Sequence, residues 1–519
     1  MALGTLPRQA RFEDPAELLG GRLRGIYRFL SENGDVLFPN DYFADLYSSS
    51  RFGQPTVPAR VVATVMLLQS HEGLSDREAT DRLERDLAWQ AAAGVHTGYE
   101  AFHPTLLVGV RNRLRESARP KRLFEDTKKA AREAGVMSDR ARVVDSTPVY
   151  DAVATQDTVT QLRSAIRKLL RLLHGTELDK KVRAVLCRDD DYGSPGKPPC
   201  DWDDQAAKDE LVDALVKDAK AALVALEGEQ LSGAVAEAAE LLAIVAGQDV
   251  EQRKDGTFVV ARKVAKDRTI STVDTEARHG HKSHDRQFDG FKCHLSVDPG
   301  SELIDEVAAT AGNVADREAV DDLLAPVADL PEKPEVFGDS AYADGGTLED
   351  LEGQGFEVTA KVPPAVGKEG RFSKDDFTID LGAGAVTCPA GQAADIRYSK
   401  DGSGRAEFGA ACATCPLAGR CTTNKEGRTV TVHRNEAVLQ RHKAAQQATE
   451  WKQRYKSTRP KVERKVAHVV RKPWGGRKAR MRGLARVFGD LVTRAAAVNF
   501  DRLAVLGVHR DGGAWVAAP

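Results

Sequence analysis

Apolar residues through the first 135 positions recur every three to four places, the spacing of one helical face. In "VPARVVATVMLLQSHEGLSDREATDRLERDLAWQAAAG", Val62, Met66 and Leu67 set that spacing. A capping signal follows at Ser75, and Leu83, Leu87 and Trp89 come after it. "FHPTLLVGVRNRLRES" predicts another helix within 102–117. At 141–149 the pattern changes to a strand, and Val143-Val144 runs straight into Asp145. Helical spacing returns over 158–175, 203–229 and 232–248, which could pair as a hairpin or small bundle, with "GSPGKPPCDW" (193–202) as a loop. The stretch 288–311 reads as strand, Asp-Pro-Gly turn, strand. A helix over 314–330, a strand over 335–339, a helix over 346–354 and a strand over 356–362 come next. Alternation of this kind builds a three-layer mixed sheet. Beyond it, 363–425 contains Gly and Cys and few apolar residues. The chain then turns helical and basic and reaches an apolar-striped helix over 483–507.

Composition sharpens this picture. The 519 residues allow roughly two to four domains of ~100–200 each. With 41% hydrophobic and 29% charged residues the chain can bury a sizeable core, which excludes global disorder. The run "VVATVMLLQ" (61–69) is far short of the ~20 residues a bilayer span needs, and the first twenty residues carry acids and no apolar core. The expectation is therefore a cytoplasmic protein with no membrane anchor. Net charge is only −2, but residues 451–482 hold 13 Lys or Arg against the single acid Glu463, while 186–215 is acidic. A basic face for phosphate fits a neutral total. No Walker-type phosphate loop suggests ATP use.

Two apolar runs end in acids: Val143-Val144 in Asp145, and Val336-Phe337-Gly338 in Asp339. An Asp after a strand commonly starts a turn or caps a helix, and one alone carries little. If the two strands are parallel neighbours, however, both carboxylates stand where ligands of open α/β sheets gather. A divalent cation relieves their repulsion, and oxygen-only donors suit Mg²⁺ or Mn²⁺. A third acid would complete a site for in-line phosphoryl displacement. Glu463 is that candidate, with Arg459 four residues before it on the same helical face. Pro460 suits a first turn, so the helix is expected to begin at about 459. The surrounding cations would grip DNA phosphates, which position a duplex without reading its bases.

With these residues in view, the chain resembles the DDE transposases of bacterial insertion sequences, over most of its length. "VVDST" resembles the first-Asp motif, "VFGDSAYAD" the second, with Tyr342, and "RPKVERKVAHVVRK" the third, with Arg459 spaced from Glu463 as in the family's Tyr-Arg-Glu-Lys signature. Tyr455 lies one residue farther from Arg459 than that signature has it, and the trailing cation is Arg471 or Lys472, with Val at 470. "RHGHKSHDRQFDGFKCHLSVD" (278–298), "TAGNVADREAV" (310–320) and "LSDREATDRLERDLAW" resemble further family segments in the same order. The resemblance implies an RNase H-like α/β core, a mixed sheet flanked by helices. It implies Asp145, Asp339 and Glu463 as catalytic residues and ligands of Mg²⁺ or Mn²⁺. It implies DNA contacts from Arg454, Arg459, Arg464, Lys465, Arg471, Lys472 and Lys292.

Cys187, Cys200 and Cys293 are scattered and read as reduced structural thiols. Cys388, Cys412, Cys415 and Cys421 cluster, and Cys-x2-Cys in a cytosolic chain suggests zinc or redox chemistry. Four thiols suit a closed tetrahedral Zn²⁺ site, and the alternative is four free thiols left from a lost one. Similar Cys-rich inserts occur in the family, so the resemblance implies a small zinc-ribbon-like insert. His279, His281 and His284 sit among Arg278, Lys282 and Arg286, which favours phosphate or surface contact over ligation. His468 near Glu463 is a further candidate at the acid site.

The expected organisation is a helical DNA-binding region over 1–135, core strands over 136–150 and 276–365, and a long helical insert over 151–275. A Cys-rich insert over 366–430 and C-terminal helices over 431–519, completing the core, follow. The expected function is metal-dependent cleavage at terminal inverted repeats and strand transfer into target DNA, by a homodimer or higher synaptic complex near the bacterial nucleoid. A catalytically inactive DNA-binding relative and a simple metal-dependent nuclease are the alternatives, and the intact acid triad argues against the first.

Overall fold

The computed structural model describes residues 14–47, 56–190, 192–263, 265–283, 286–470 and 476–518. The capping signal at Ser75 is realised as a reciprocal box. The Ser75 hydroxyl accepts from the Glu78 N–H (3.3 Å), and the Glu78 carboxylate accepts from the Ser75 N–H (2.7 Å), which starts the helix Asp76–Arg85. The helix before it, Ala59–Glu72, is buried at every position from Ala59 to Ser70, so it is the axis of the helical N-terminal region, not an amphipathic surface helix. Around it stand Gly25–Leu37, Leu87–Ala93, Thr105–Glu116 and Arg122–Glu133.

Strand β1 (Ala141–Tyr150) follows. The helices Thr158–Leu173, Gln205–Ala225 and Gly233–Gly247 then pack on one another around their own apolar core, joined by the short helix Glu177–Arg183 and the hairpin β2 (Val250–Gln252) and β3 (Phe258–Val260). The central sheet resumes with β4 (Arg278–Ser283), β5 (Arg286–Asp298), β6 (Leu303–Ala311), β7 (Glu335–Gly338) and β8 (Glu357–Ala360). Its order is β4-β5-β1-β7-β8, with β6 also on β5. The β5 pairings with β4, β6 and β1 are antiparallel, and β1-β7 and β7-β8 are parallel, so the sheet is mixed as expected. Arg278–Ser283, which shows no apolar alternation in the sequence, is itself a strand. The helix expected over 314–330 is broken into Val320–Leu324 flanked by short 3-10 turns, the last containing Pro326, whose missing N–H cannot continue the ladder.

The Cys-containing stretch is a five-stranded antiparallel sheet: β9 (Thr378–Asp380), β10 (Ala385–Thr387), β11 (Ala393–Tyr398), β12 (Gly404–Glu407) and β13 (Thr429–Val432). Phe377, Val386, Ile396, Phe408, Val430 and Val432 give it a small core of its own. The helix carrying Glu463 runs Thr449–Val469, ten residues earlier than expected at its start, with Pro460 inside it. An internal Pro costs about 3 kcal/mol; burial of Val462, Val466 and Val469 on the helix's inner face offsets it.

Helix Leu484–Val505 joins the parts. It packs on β6 and on the N-terminal helices Gly25–Leu37, Ala59–Glu72 and Arg122–Glu133. Asn499, fully buried, accepts from the Ile304 N–H and donates to the Ile304 carbonyl, both at 2.8 Å. The final hairpin, β14 (Val508–Asp511) and β15 (Ala514–Ala517), returns Trp515 to stack on Phe29 with ring centroids 5.8 Å apart. The pairing of β5 with β6 steps from Ser296↔Glu306 to Val297↔Ile304, which leaves Asp305 as the extra residue of a bulge. Asp305 points inward to Arg142 of β1 at 2.7 Å, with both side chains fully buried. Among the described residues no helix is long and apolar enough to cross a membrane.

Candidate active site

The site is set by where β7 stops. β1 and β7 pair in parallel only from Ala141↔Glu335 to Val143↔Phe337, while β1 continues against β5 as far as Tyr150. Asp145 therefore does not end its strand. It lies mid-strand, in the notch that opens where its parallel neighbour ends. Asp339 is the first residue past β7, and its two oxygens divide the work. Oδ1 accepts from the Ala341 N–H (2.9 Å) and caps the turn Ser340–Tyr342, while Oδ2 faces the notch. The turn-capping reading of this Asp holds for Oδ1.

Arg459 fills the notch. It is buried; its Nη1 donates to the Val144 carbonyl (3.0 Å), and its Nη2 lies 3.4 Å from Asp145 Oδ2, 3.9 Å from Asp339 Oδ2 and 4.0 Å from Glu463 Oε1. The three acids, far apart in sequence, thus meet at one guanidinium nitrogen. Burial pushes the Asp145 carboxyl above its ordinary range; Arg459 pulls it back and the neighbouring Asp339 adds to the rise. Burial opposes the Arg459 charge, but Asp145 and Asp339 outweigh it and hold the guanidinium above its usual value. One turn earlier, Tyr455 donates to the Gly338 carbonyl (3.3 Å) and stacks on Trp451, so despite its shifted spacing it braces the end of β7.

Behind Asp145, on the opposite face of β1, lies a polar cluster. The Ser146 N–H donates to Asp145 Oδ1 (2.9 Å), and the Ser146 hydroxyl donates to Asp316 (2.6 Å). Asp316 also takes a bond from Lys292 (2.7 Å), whose ammonium holds the Val314 carbonyl as well. His294, buried opposite Ser146, meets Thr310 at 2.8 Å, and burial lowers its imidazole to about 4, which keeps it neutral. The Tyr342 hydroxyl is buried without a hydrogen-bond partner, and burial, then the charges of Asp316, Asp145 and Asp339, drive its pKa well up. Sequence reasoning noted the segment "TAGNVADREAV" but gave Asp316 no role. The signal available was an acid three residues after Asn313, directly following the hairpin.

The expected DNA contacts divide. Arg459 is an internal residue of the acid site, not a surface cation. Lys465 is buried against Glu302 (3.5 Å), and burial lowers its ammonium. Lys292 is held by Asp316. Arg454 and Arg464 are exposed but ion-paired, with Glu335 and Glu302. Arg471 and Lys472 lie outside the described residues, as does His284. A pocket of about 560 Å³ is lined by Lys266, Arg268, Arg278, His279, His281 and Lys292, with no carboxylate among the described lining residues, although Arg268, Arg278 and Lys292 pair with Asp249, Asp267 and Asp316. His279 meets Asp289 at 2.6 Å in an ordinary polar contact. His468 lies five residues past Glu463, about 140° around the helix, so it does not share its face.

Cys388, Cys412, Cys415 and Cys421 share the lining of one cavity of about 20 Å³ beside β10, and all are free thiols. The Cys412 sulfur accepts from the Arg428 N–H (3.4 Å), and burial raises the Cys421 thiol. Cys293 is buried and pushed up to about 12, while Cys187 is exposed. Among the described residues no three His, Cys, Asp or Glu side chains form a group able to hold a metal as they stand. The expected zinc tetrad is thus not a ready-made group. At the acids, the centre is taken by Arg459.

Two family models match the chain. One described as a transposase DDE domain matches residues 387–504, and one described as a transposase domain (DUF772) matches residues 22–113. The first contains Glu463, Arg459 and the four clustered cysteines. Asp145 and Asp339 lie outside both matches. No curated protein and no solved structure matches the chain.

Proposed function

With the chain taken as an insertion-sequence DDE transposase, as its two family matches support, we propose that it cuts DNA at the terminal inverted repeats of its element and joins the freed 3′ ends to target DNA. The observation that carries this reading is the convergence of Asp145, Asp339 and Glu463 within 4.0 Å of one cation. The strand arrangement agrees. Antiparallel β6-β5-β1 followed by parallel β7 and β8, with acids on β1 and after β7, is what an RNase H-like core requires.

Asp145, Asp339 and Glu463 would hold Mg²⁺ or Mn²⁺. Three carboxylates and no soft donor fit a hard divalent ion, and the guanidinium among them marks a point where positive charge is stable. When bound, such an ion supplies charge neutralisation and nucleophile activation for phosphoryl transfer. The chain's own residues do the rest. Arg454 and Arg464, with the basic pocket near Lys292, hold the phosphate backbone. In cleavage, a water oxygen bonds to phosphorus, the P–O3′ bond breaks in line, and the 3′ oxygen leaves with a proton. In joining, that 3′-hydroxyl attacks a target phosphodiester and releases a second 3′ oxygen. Residues 1–135 bind the terminal repeats, the parts over 136–150, 276–365 and 431–519 form the catalytic core, and two copies hold two ends as a synaptic homodimer.

We read the insert over 366–430 as carrying a structural zinc. Its four thiols share a cavity with room for about one water-sized sphere, and thiolate donors select that metal.

The test is to incubate the purified protein with labelled DNA carrying the element's ends and Mg²⁺, with Asp339→Asn alongside. Nicked and joined products that vanish in the variant are expected. Nicking without joining would make it a simple nuclease. Binding with no cleavage by either protein would leave a DNA-binding relative.

A further inference from the structure

We infer that Arg459 is a built-in placeholder for the divalent cation: it holds the three acids convergent in the metal-free protein and is displaced from their oxygens when the ion enters. This rests on the reading of Asp145, Asp339 and Glu463 as metal ligands. It adds a role that a DNA-gripping arginine would not have.

The geometry supports a competition, not a shared site. The oxygens nearest Nη2 are Asp145 Oδ2, Asp339 Oδ2 and Glu463 Oε1, at 3.4, 3.9 and 4.0 Å. A Mg²⁺ ion needs such oxygens at about 2.0–2.1 Å, so the carboxylates must close on the point where the guanidinium now spreads them. Arg459 is too buried to have been placed there for phosphate, and its other anchor, Nη1 on the Val144 carbonyl at 3.0 Å, is a backbone contact on the same strand as Asp145. That bond does not compete with an ion. The side chain can therefore keep Nη1 in place and give up Nη2, a short swing with no change in the backbone.

The charge balance points the same way. Three carboxylates brought together without a counter-ion repel, and one guanidinium relieves part of that repulsion in the free protein. An ion of twice the charge relieves more, but only after displacing it, so the apparent affinity carries the cost of emptying the site. Glu463 is exposed and gives the ion a way in from solvent.

The experiment measures two quantities on the full chain without DNA: the melting temperature in chelator, and Mn²⁺ affinity by calorimetric titration. Arg459→Gln is expected to lower the metal-free melting temperature and to tighten Mn²⁺ binding about tenfold. Arg459→Lys, which keeps the charge but cannot reach all three acids, should fall between it and the wild type in both readouts. It decides the matter by itself if Arg459→Gln does not fold. Unchanged or weaker Mn²⁺ binding in the variants would overturn the inference, since Arg459 would then be helping the ligands. Failure of the metal reading looks different: the wild type binds no Mn²⁺ or binds it equally well as Asp145→Asn, and the inference falls with it.

Discussion

The acid site and the cysteine cluster, the two places where we propose a metal, are opposite in construction. The acids come from β1, from the turn after β7 and from the helix Thr449–Val469, and they meet only because the sheet and that helix are fixed. The thiols come from one module with its own small core. The acid site holds Arg459 between its three carboxylates; at the thiols the Arg428 side chain lines one wall of the cavity, donates to the Cys421 carbonyl (3.2 Å) and pulls the Cys421 thiol down against burial. Carboxylates gathered around a guanidinium keep their arrangement when no metal is bound, whereas a closed four-thiolate zinc site contributes folding energy outright. Metal should therefore be a reagent at the first and part of the fold at the second.

The largest effect that could break this comparison is on activity. Asp145→Asn, Asp339→Asn and Glu463→Gln should each lower cleavage of labelled end DNA on the order of a thousandfold. Activity close to that of the wild type in any one of them would remove that acid from the proposed catalytic set. Next is the support of β1. Asp305→Ala removes one of the two carboxylates paired with fully buried Arg142 and leaves Asp139, so a denaturant melt should show a loss of about 1.5–3 kcal/mol. Thiol labelling of the four clustered cysteines should be unaffected, because their module has a separate core. Third, chelation should divide the two sites. A Mg²⁺-selective chelator should abolish cleavage and leave the melting temperature unchanged. A zinc chelator should lower it by several degrees and free four thiols, with Cys293 still unreactive. The smallest effect is the most pointed. Asp339→Asn should melt within about 2 °C of the wild type, because an Asn side-chain oxygen can take over the cap on Ala341 that Oδ1 makes now.

The features legible in the sequence were those with a local cause. The Ser75 box needs only Ser75 and Glu78, the Asp-Pro-Gly turn is spelled in three letters, and Asp145 and Asp339 announce themselves by ending apolar runs. What sequence missed depended on partners far along the chain. β4 is Arg-His-Gly-His-Lys-Ser, with no apolar alternation, and is a strand because β5 offers it an edge. The strands β9 to β13 are three to six residues long, too short for a period to show. The helix start at Thr449 was hidden because Pro460 looks like a beginning, and only packing against the sheet carries the helix through it. The inward turn of Arg459 is hidden for a similar reason. Thirteen cations in one stretch suggest a surface, and nothing local distinguishes the one that turns inward.

The helix Leu484–Val505 has a consequence in time. The N-terminal helices bury their inner faces against it, and Phe29 waits for Trp515. During synthesis those helices leave the ribosome several hundred residues before their partner does. Until then they present an open apolar face, and the acids lack the packed sheet that brings them together. The N-terminal helices and the sheet therefore reach their full packing only after residue 515 has emerged, and a chain cut short upstream of it leaves that apolar face uncovered.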